Sequence, residues 1–366
     1  MTTTQDIEDY HSLILNGAPL IDVRAPIEFS TGHLPTSQNF PILSDEERVA
    51  VGTCYKQKGR DKAIELGHQL VSGDNREHKI SAWQQFYGNH PDAVIYCARG
   101  GMRSKLSQSW LKEIGIELPR VHLGYKGLRN YLLSVLENVG QHPMLIVSGD
   151  TGTGKTELLQ NFNAMIDLEG LANHHGSAFG KNITEQPAQA TFENALAVNC
   201  VQKNHLPVWL LEDESRNIGK VHLPETLYAA MGLASVVVVE EPLDNRLQRI
   251  SQLYFAEMVD KYRNAYGATA GWDKYCDYLK QGLFALRKRL GLGRYAVLQQ
   301  ILDDALVEQL ATGKIDLHLD WLSILLTEYY DPMYQYQLNK KKDRVIFRGD
   351  YQSVCEFIEN YHPVSL

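Results

Sequence analysis

None of the five cysteines, at positions 54, 97, 200, 276 and 355, has a partner close enough to form a C-x-x-C unit. This spacing argues against a disulfide framework and a cysteine zinc site, and a reducing cytoplasm is the expected compartment. No apolar run approaches the ~18 residues that a membrane-spanning helix needs. The opening stretch, residues 1–9, is polar and acidic, so no signal peptide and no membrane association are expected. Positive charge is in deficit too: the 366 residues carry a formal net charge of −8, which argues against a general nucleic-acid binder. The basic residues that are present cluster at 287–289 and 340–342, leaving a local patch for a polyanion. Internal repeats and low-complexity tracts are missing. With 44% hydrophobic and 22% charged residues, the composition is that of a globular protein long enough for two domains.

The most informative stretch runs from Val94 to Ser104. An apolar run stops at Cys97, and Arg99, Gly100, Gly101, Met102 and Arg103 follow at once. A buried strand would deliver the sulfur to a glycine-rich turn, with backbone N–H groups curled around it. Two fixed cations and the N-terminus of a following helix favour the nucleophilic form of that sulfur. Cys97, Arg99 and Arg103 are therefore the candidate catalytic residues, and Gly100, Gly101 and Met102 the anion cradle. Around them strands and helices alternate: a helix, a strand ending at Asp22, helices over 45–57 and 61–71, a strand over 93–97, a helix over 104–115, a strand at 121–123 and a helix over 128–137. This pattern predicts a parallel-sheet α/β domain over residues 1–139, with its site at the carboxyl ends of the strands.

A break at 140–143 opens a second α/β domain, expected over 143–366. The strand 144–148 leads into Gly149, Asp150, Thr151, Gly152, Thr153, Gly154, Lys155 and Thr156, and a helix is expected over 157–167. G-x-x-x-x-G-K-T between strand and helix is the context of a P-loop. Its amides would wrap a diphosphate, Lys155 would neutralise it, and Thr156 would hold a magnesium ion. Another strand ends in Glu212, Asp213 and Glu214; Glu212 and Asp213 are the candidate metal partners of Thr156, without a choice between them. Arg246 and Arg249, on the helix after the strand 235–239, are candidate lid residues over the phosphates. The paired His174 and His175 have no third metal ligand spaced near them. Residues 250–330 form a tyrosine-rich helical block, in which Arg287, Lys288, Arg289 and Arg294 mix with aromatics and glycines as RNA contact requires. A last strand at 344–347 and a helix over 351–361 close the domain.

Asp22-Val23-Arg24, Glu28, Gly32-His33 and Cys97 at the head of an arginine-bearing loop resemble the rhodanese, or sulfurtransferase, domain. The sequence departs from it in a helical insertion at about 44–80. Its C-x5-R loop is also one residue longer than the usual sulfurtransferase loop, the length found in the related phosphatases. A wider cradle suits a tetrahedral anion, phosphate or one bearing selenium. The fusion of this domain to a P-loop domain, with the segments 52–57, 212–219 and 330–334, resembles the tRNA 2-selenouridine synthase family over essentially the whole chain. The resemblance implies a transferase that replaces sulfur by selenium in wobble 2-thiouridine of tRNA. It implies S-geranylation from geranyl diphosphate and then selenium transfer from selenophosphate, without a tightly bound prosthetic group. A selenophosphate-supplying enzyme would be a partner. Whether Cys97 carries selenium or only stabilises the donor stays open. So does a second reading, a C-x5-R phosphatase or sulfurtransferase coupled to a nucleotide-dependent P-loop domain.

Overall fold

Two units emerge from the computed structural model, which describes residues 6–363. The first comprises Met1–Val139 with Pro187–Asn204, the second Gly140–Gln186 with His205–Leu366.

In the first unit the strands β1 (Leu20–Asp22), β2 (Ser37–Asn39) and β3 (Val94–Tyr96) run parallel in the order β2-β1-β3. β1 and β3 are buried at every position: β1 is the central strand, and β3 is flanked on its far side by the bridge to Arg120, so β3 reads as an unbroken apolar run and β1 as one ended by Asp22. Among the described residues the sheet continues only as isolated parallel bridges, Ile95 to Arg120 and Ile7 to Val121. The strand expected at 121–123 is thus one bridge long. Leu123 takes a left-handed conformation (φ 51°) and turns the chain into the helix Gly124–Asn138.

Between β2 and β3 lie three helices, Asp45–Lys58, Arg60–Leu70 and Gly73–Asn89. The first opens on a capping box, Ser44 with Glu47. The third is not evident in the sequence pattern, since most of its residues are polar. Only Trp83 and Phe86, three apart and so on one face, are buried, and the Trp83 indole donates to the Phe40 carbonyl at 3.0 Å. One more helix, Gln189–Lys203, completes the unit. Chain order alone places it in the second domain, but its fully buried Asn194 donates to the His33 carbonyl (2.9 Å) and accepts from Arg129 (2.8 Å).

In the second unit β4 (Met144–Ser148), β5 (Trp209–Glu212), β8 (Ser235–Val239) and β9 (Val345–Gly349) form a parallel sheet in the order β5-β4-β8-β9. A small antiparallel hairpin, β6 (Asn217–Ile218) and β7 (Val221–His222), follows β5. The helix after the P-loop spans only Lys155–Leu159, not 157–167. Asn161 donates its side-chain amide to the carbonyls of Glu157 and Leu158, both at 3.2 Å, which stops the helix. Met165 and Ile166 are then drawn against Leu210 of β5.

The helical block runs from Leu243 to Asn339 and packs around the long helices Ala268–Leu290 and Leu292–Thr312. Gly282 lets Phe179 lie against its backbone; a Cβ there would sit 2.5 Å from the ring. Two segments, Gln252–Glu257 and Leu326–Tyr330, are π-helical. Gln309 donates to the Phe255 carbonyl of the first (2.9 Å) and pairs with His318 (3.0 Å), whose burial lowers its pKa to about 4.

Candidate functional site

Cys97 sits directly after β3 and is 3% exposed. Its Sγ lies 3.1 Å from Ser104 Oγ, on the helix Met102–Glu113 that follows the loop. The start of the helix Gly124–Asn138 clamps the loop: Tyr125 N–H donates to the Cys97 carbonyl (2.8 Å) and Lys126 N–H to that of Ala98 (3.0 Å). Gly124 (φ +56°) permits this approach, because a Cβ there would lie 2.1 Å from the Cys97 oxygen. With those carbonyls occupied, the amides from Ala98 to Arg103 donate to no group among the described residues. A loop of free amides is an anion-binding nest.

Arg103 is held by Glu28 in a two-pronged ion pair at 2.5 and 3.0 Å. Burial works against the guanidinium's charge, but Glu28 outweighs it and the pKa rises. Glu28 also reaches Arg48 at 3.1 Å, so one carboxylate aims two arginines. Arg99 is exposed. Asp22 and Arg24 are a buried pair (2.6 Å); Arg24 also donates to the Gly32 carbonyl and lies 3.9 Å from the centre of the Tyr125 ring. These two residues fasten the chain under the loop. The loop opens on a cavity of about 1080 Å³ in which Cys97, Arg99 and Arg103 share the lining with the inserted helices.

The second constellation lies at the carboxyl ends of β4 and β5. Of the P-loop amides from Asp150 to Thr156, only Thr153 donates a backbone hydrogen bond among the described residues. Lys155 Nζ donates back to the carbonyls of Gly149 (2.8 Å) and Asp150 (3.2 Å). Thr156 Oγ1 donates to Glu212. Glu212 and Asp213 are equivalent in the sequence, and the structure separates them. Asp213 accepts from Ser148 (2.7 Å) and pairs with Lys341, which leaves Glu212 as the acid beside Thr156.

Glu212 is joined by Glu214 and by Glu169, a residue that sequence reasoning missed; their carboxylate oxygens lie within 4.8 Å of one another. Burial raises the pKa of both Glu212 and Glu214, and the charge of Glu169 adds to it. Glu212 Oε2 is buried without a hydrogen-bond partner. Hard oxygen donors crowded in this way fit a divalent cation such as magnesium. His175 stands 3.5 Å from Glu169, which raises its pKa, while burial lowers that of His174.

Arg246 and Arg249 are engaged with the loop's own backbone and with neighbouring carboxylates. Arg246 is buried and donates to the Thr151 carbonyl (2.9 Å) and, two-pronged, to Asp331 (2.6 and 3.1 Å). Arg249 donates to the Gly152 carbonyl (2.9 Å) and pairs with Glu157 (3.0 Å). Both brace the loop through its carbonyls, and Asp331 in the segment 330–334 anchors Arg246. Arg287, Lys288, Arg289 and Arg294 flank the junction of the two long helices. Arg287 stacks on the half-exposed Phe284 (3.6 Å), Arg289 donates to Tyr329 (3.2 Å), Arg294 pairs with Glu328 (2.7 Å), and Lys288 is exposed.

Comparison with known proteins matches both units. Residues 6–134 match the rhodanese-like domain, and residues 142–363 match the tRNA 2-selenouridine synthase AAA domain. The chain belongs to the tRNA 2-selenouridine synthase family. It is 48% identical over 362 residues to the tRNA 2-selenouridine synthase of Salmonella paratyphi A, with 98% of this chain and 100% of that protein covered. The protein of the same name from Proteus mirabilis is 47% identical, with 99% and 100% covered. Membership in the tRNA 2-selenouridine synthase family accounts for both constellations in one chain.

Proposed function

We propose that this protein is a tRNA-modifying enzyme that converts wobble 2-thiouridine to 2-selenouridine in two steps, one at each constellation. At the P-loop, geranyl diphosphate alkylates the thiouridine sulfur: the S–C bond forms, the C–O bond to diphosphate breaks, and the N3 proton is lost. The loop amides and Lys155 stabilise the departing diphosphate, with no nucleotide hydrolysis needed. Thr156 and Glu212, with Glu169 and Glu214, would hold a divalent cation, which would add positive charge against that leaving group. At Cys97 the amides of 98–103, Arg99 and Arg103 hold selenophosphate. Selenium bonds to C2 and the geranyl thiol leaves with a proton. Water then cleaves the Se–P bond, so that phosphate departs and N3 is reprotonated.

The observation that carries the reading is the pairing of two separate anion nests, one floored by a cysteine and one by a P-loop lysine. The first suits a tetrahedral selenium-bearing anion, the second a diphosphate ester. Mass analysis of nucleosides tests it, using thiolated tRNA incubated with geranyl diphosphate and then selenophosphate. Lys155→Ala is expected to lose the geranyl adduct, and Cys97→Ser to lose only selenouridine. Loss of both products in Cys97→Ser with the fold intact would defeat the division of labour. The exposed Arg287–Phe284 stack and Lys288 are proposed to contact the tRNA. Their substitution should weaken tRNA binding and reduce its salt dependence without changing either chemical step.

A further inference from the structure

The cavity over Cys97 is too large and too apolar for its anion alone. At about 1080 Å³ it matches the upper end of the ~300–1,000 Å³ that enclose a drug-sized organic ligand. Two kinds of side chain line it. Arg48, Lys56, Arg60, Arg99, Arg103 and Lys105 supply positive charge; Ile42, Val51, Ile64, Val71 and Leu106 supply apolar surface. The first two of the three inserted helices present one face each. Arg48, Val51, Gly52, Tyr55 and Lys56 line it from the helix Asp45–Lys58; Arg60, Ala63, Ile64, Gly67 and His68 line it from Arg60–Leu70. These spacings of three and four residues are those of a single helical stripe. The apolar lining is continuous with the sulfur, since Cys97, Ile42 and Val71 belong to one buried cluster against which Val51 and Leu106 pack.

We propose that this cavity is a subsite for the hydrocarbon chain of the S-alkylated nucleotide, held while selenium displaces it. The inference rests on the two-step reading above. A chain attached at the P-loop must be bound a second time at Cys97, because it leaves only there. The cations take the selenophosphate and the flanking RNA phosphates, and the apolar stripe of the insertion takes the ten-carbon thioether and releases it as the thiol. The insertion that lengthens this unit between β2 and β3 is thereby the element that adapts an anion loop to a lipid-like leaving group.

The test uses the full-length Lys155→Ala protein, which removes the diphosphate site's contribution. Anticodon stem-loop RNAs carrying S-methyl, S-prenyl or S-geranyl 2-thiouridine are titrated by fluorescence anisotropy, then mixed with selenophosphate and analysed for selenouridine. Affinity should rise with chain length, by about fourfold for each CH2 that becomes buried. Ile64→Gln and Val51→Ser should each weaken the S-geranyl RNA at least tenfold and leave the S-methyl RNA unchanged, which also shows that the variants fold. Equal affinity for all three RNAs, or equal weakening of all three by Ile64→Gln, would overturn the subsite. Chain-length-dependent binding without selenouridine from any RNA would support the subsite and instead defeat the two-step reading.

Discussion

The two anion loops solve one problem with opposite electrostatics. Around Cys97 the loop is ringed by cations, and a single carboxylate, Glu28, aims two of them. Around Thr156 the arginines are engaged with the loop's own carbonyls, and three glutamates crowd together. The first arrangement sets several cations against one carboxylate. The second concentrates three carboxylates that repel one another, and burial together with the charge of Glu169 raises the pKa of Glu212 and Glu214. Rigidity is also obtained differently. Backbone hydrogen bonds from a neighbouring helix hold the Cys97 loop, whereas arginine side chains hold the P-loop.

The sharpest way to break the contrast is to remove the floor of each loop in turn. Lys155→Ala is expected to cost about 10²–10³-fold in alkylation, the range for losing one preorganised donor to a developing anion. Selenation of pre-alkylated RNA should persist in that variant. Next in size is Gly124→Ala, which places a methyl group on the Cys97 carbonyl and imposes a left-handed conformation. A loss of about 3 kcal/mol is expected, read as a lower Tm and lost selenation; no comparable change would mean that the clamp is dispensable.

Glu28→Gln keeps the shape but releases Arg103 and Arg48. Selenophosphate KM should rise about tenfold, since a hydrogen bond to a charged group is worth about 1.5–3 kcal/mol, while alkylation stays unchanged. The smallest effect concerns the acidic loop. The pKa of Glu214 is raised in the fold, so the native state binds a proton that the unfolded chain releases above its ordinary 4.5. Stability should therefore fall as pH rises from about 4.5 toward the raised value. In metal-free buffer Glu214→Gln should raise the Tm at pH 8 and not at pH 4.5, because the amide has no proton to lose. The gain corresponds to about 1.4 kcal/mol for every tenfold by which the fold had strengthened proton binding at that carboxylate. Magnesium should raise the wild-type Tm at pH 8 in the same way. A flat pH profile would show that the glutamates share a proton without cost.

Much of this contrast could be read from residue order alone. Apolar runs ending at Cys97 and at Gly149 announce strands that deliver loops, and local chemistry dictates those loops. Glu28, Ser104 and Glu169 were not legible in the same way. Ser104 lies only seven residues from Cys97, and only the fold shows its hydroxyl turned to the sulfur, whereas Glu28 and Glu169 act across the fold: 75 residues separate Glu28 from Arg103, and no spacing rule relates an ion pair to its partner at that range. Arg246 and Arg249 show the converse: their place in the sequence suggests substrate, but each donates to a carbonyl of the loop and pairs with a carboxylate, Asp331 or Glu157. The helix Gly73–Asn89 is hidden because two inward aromatics among polar residues leave little periodicity to detect.

The helix Gln189–Lys203 has a consequence for how the molecule is made. It belongs to the first unit, yet residues 140–186, with β4 and the P-loop, precede it on the chain. During synthesis the first unit therefore has no partner for the Arg129 guanidinium or the His33 carbonyl until Asn194 has left the ribosome. By then the opening of the second unit has already emerged. The two halves cannot mature strictly one after the other, as domains strung end to end do. A nascent chain halted short of residue 187 would carry β4 and the P-loop segment, still without the strands and arginines that hold them, after an unfinished cysteine domain. The order of translation thus interleaves the two units.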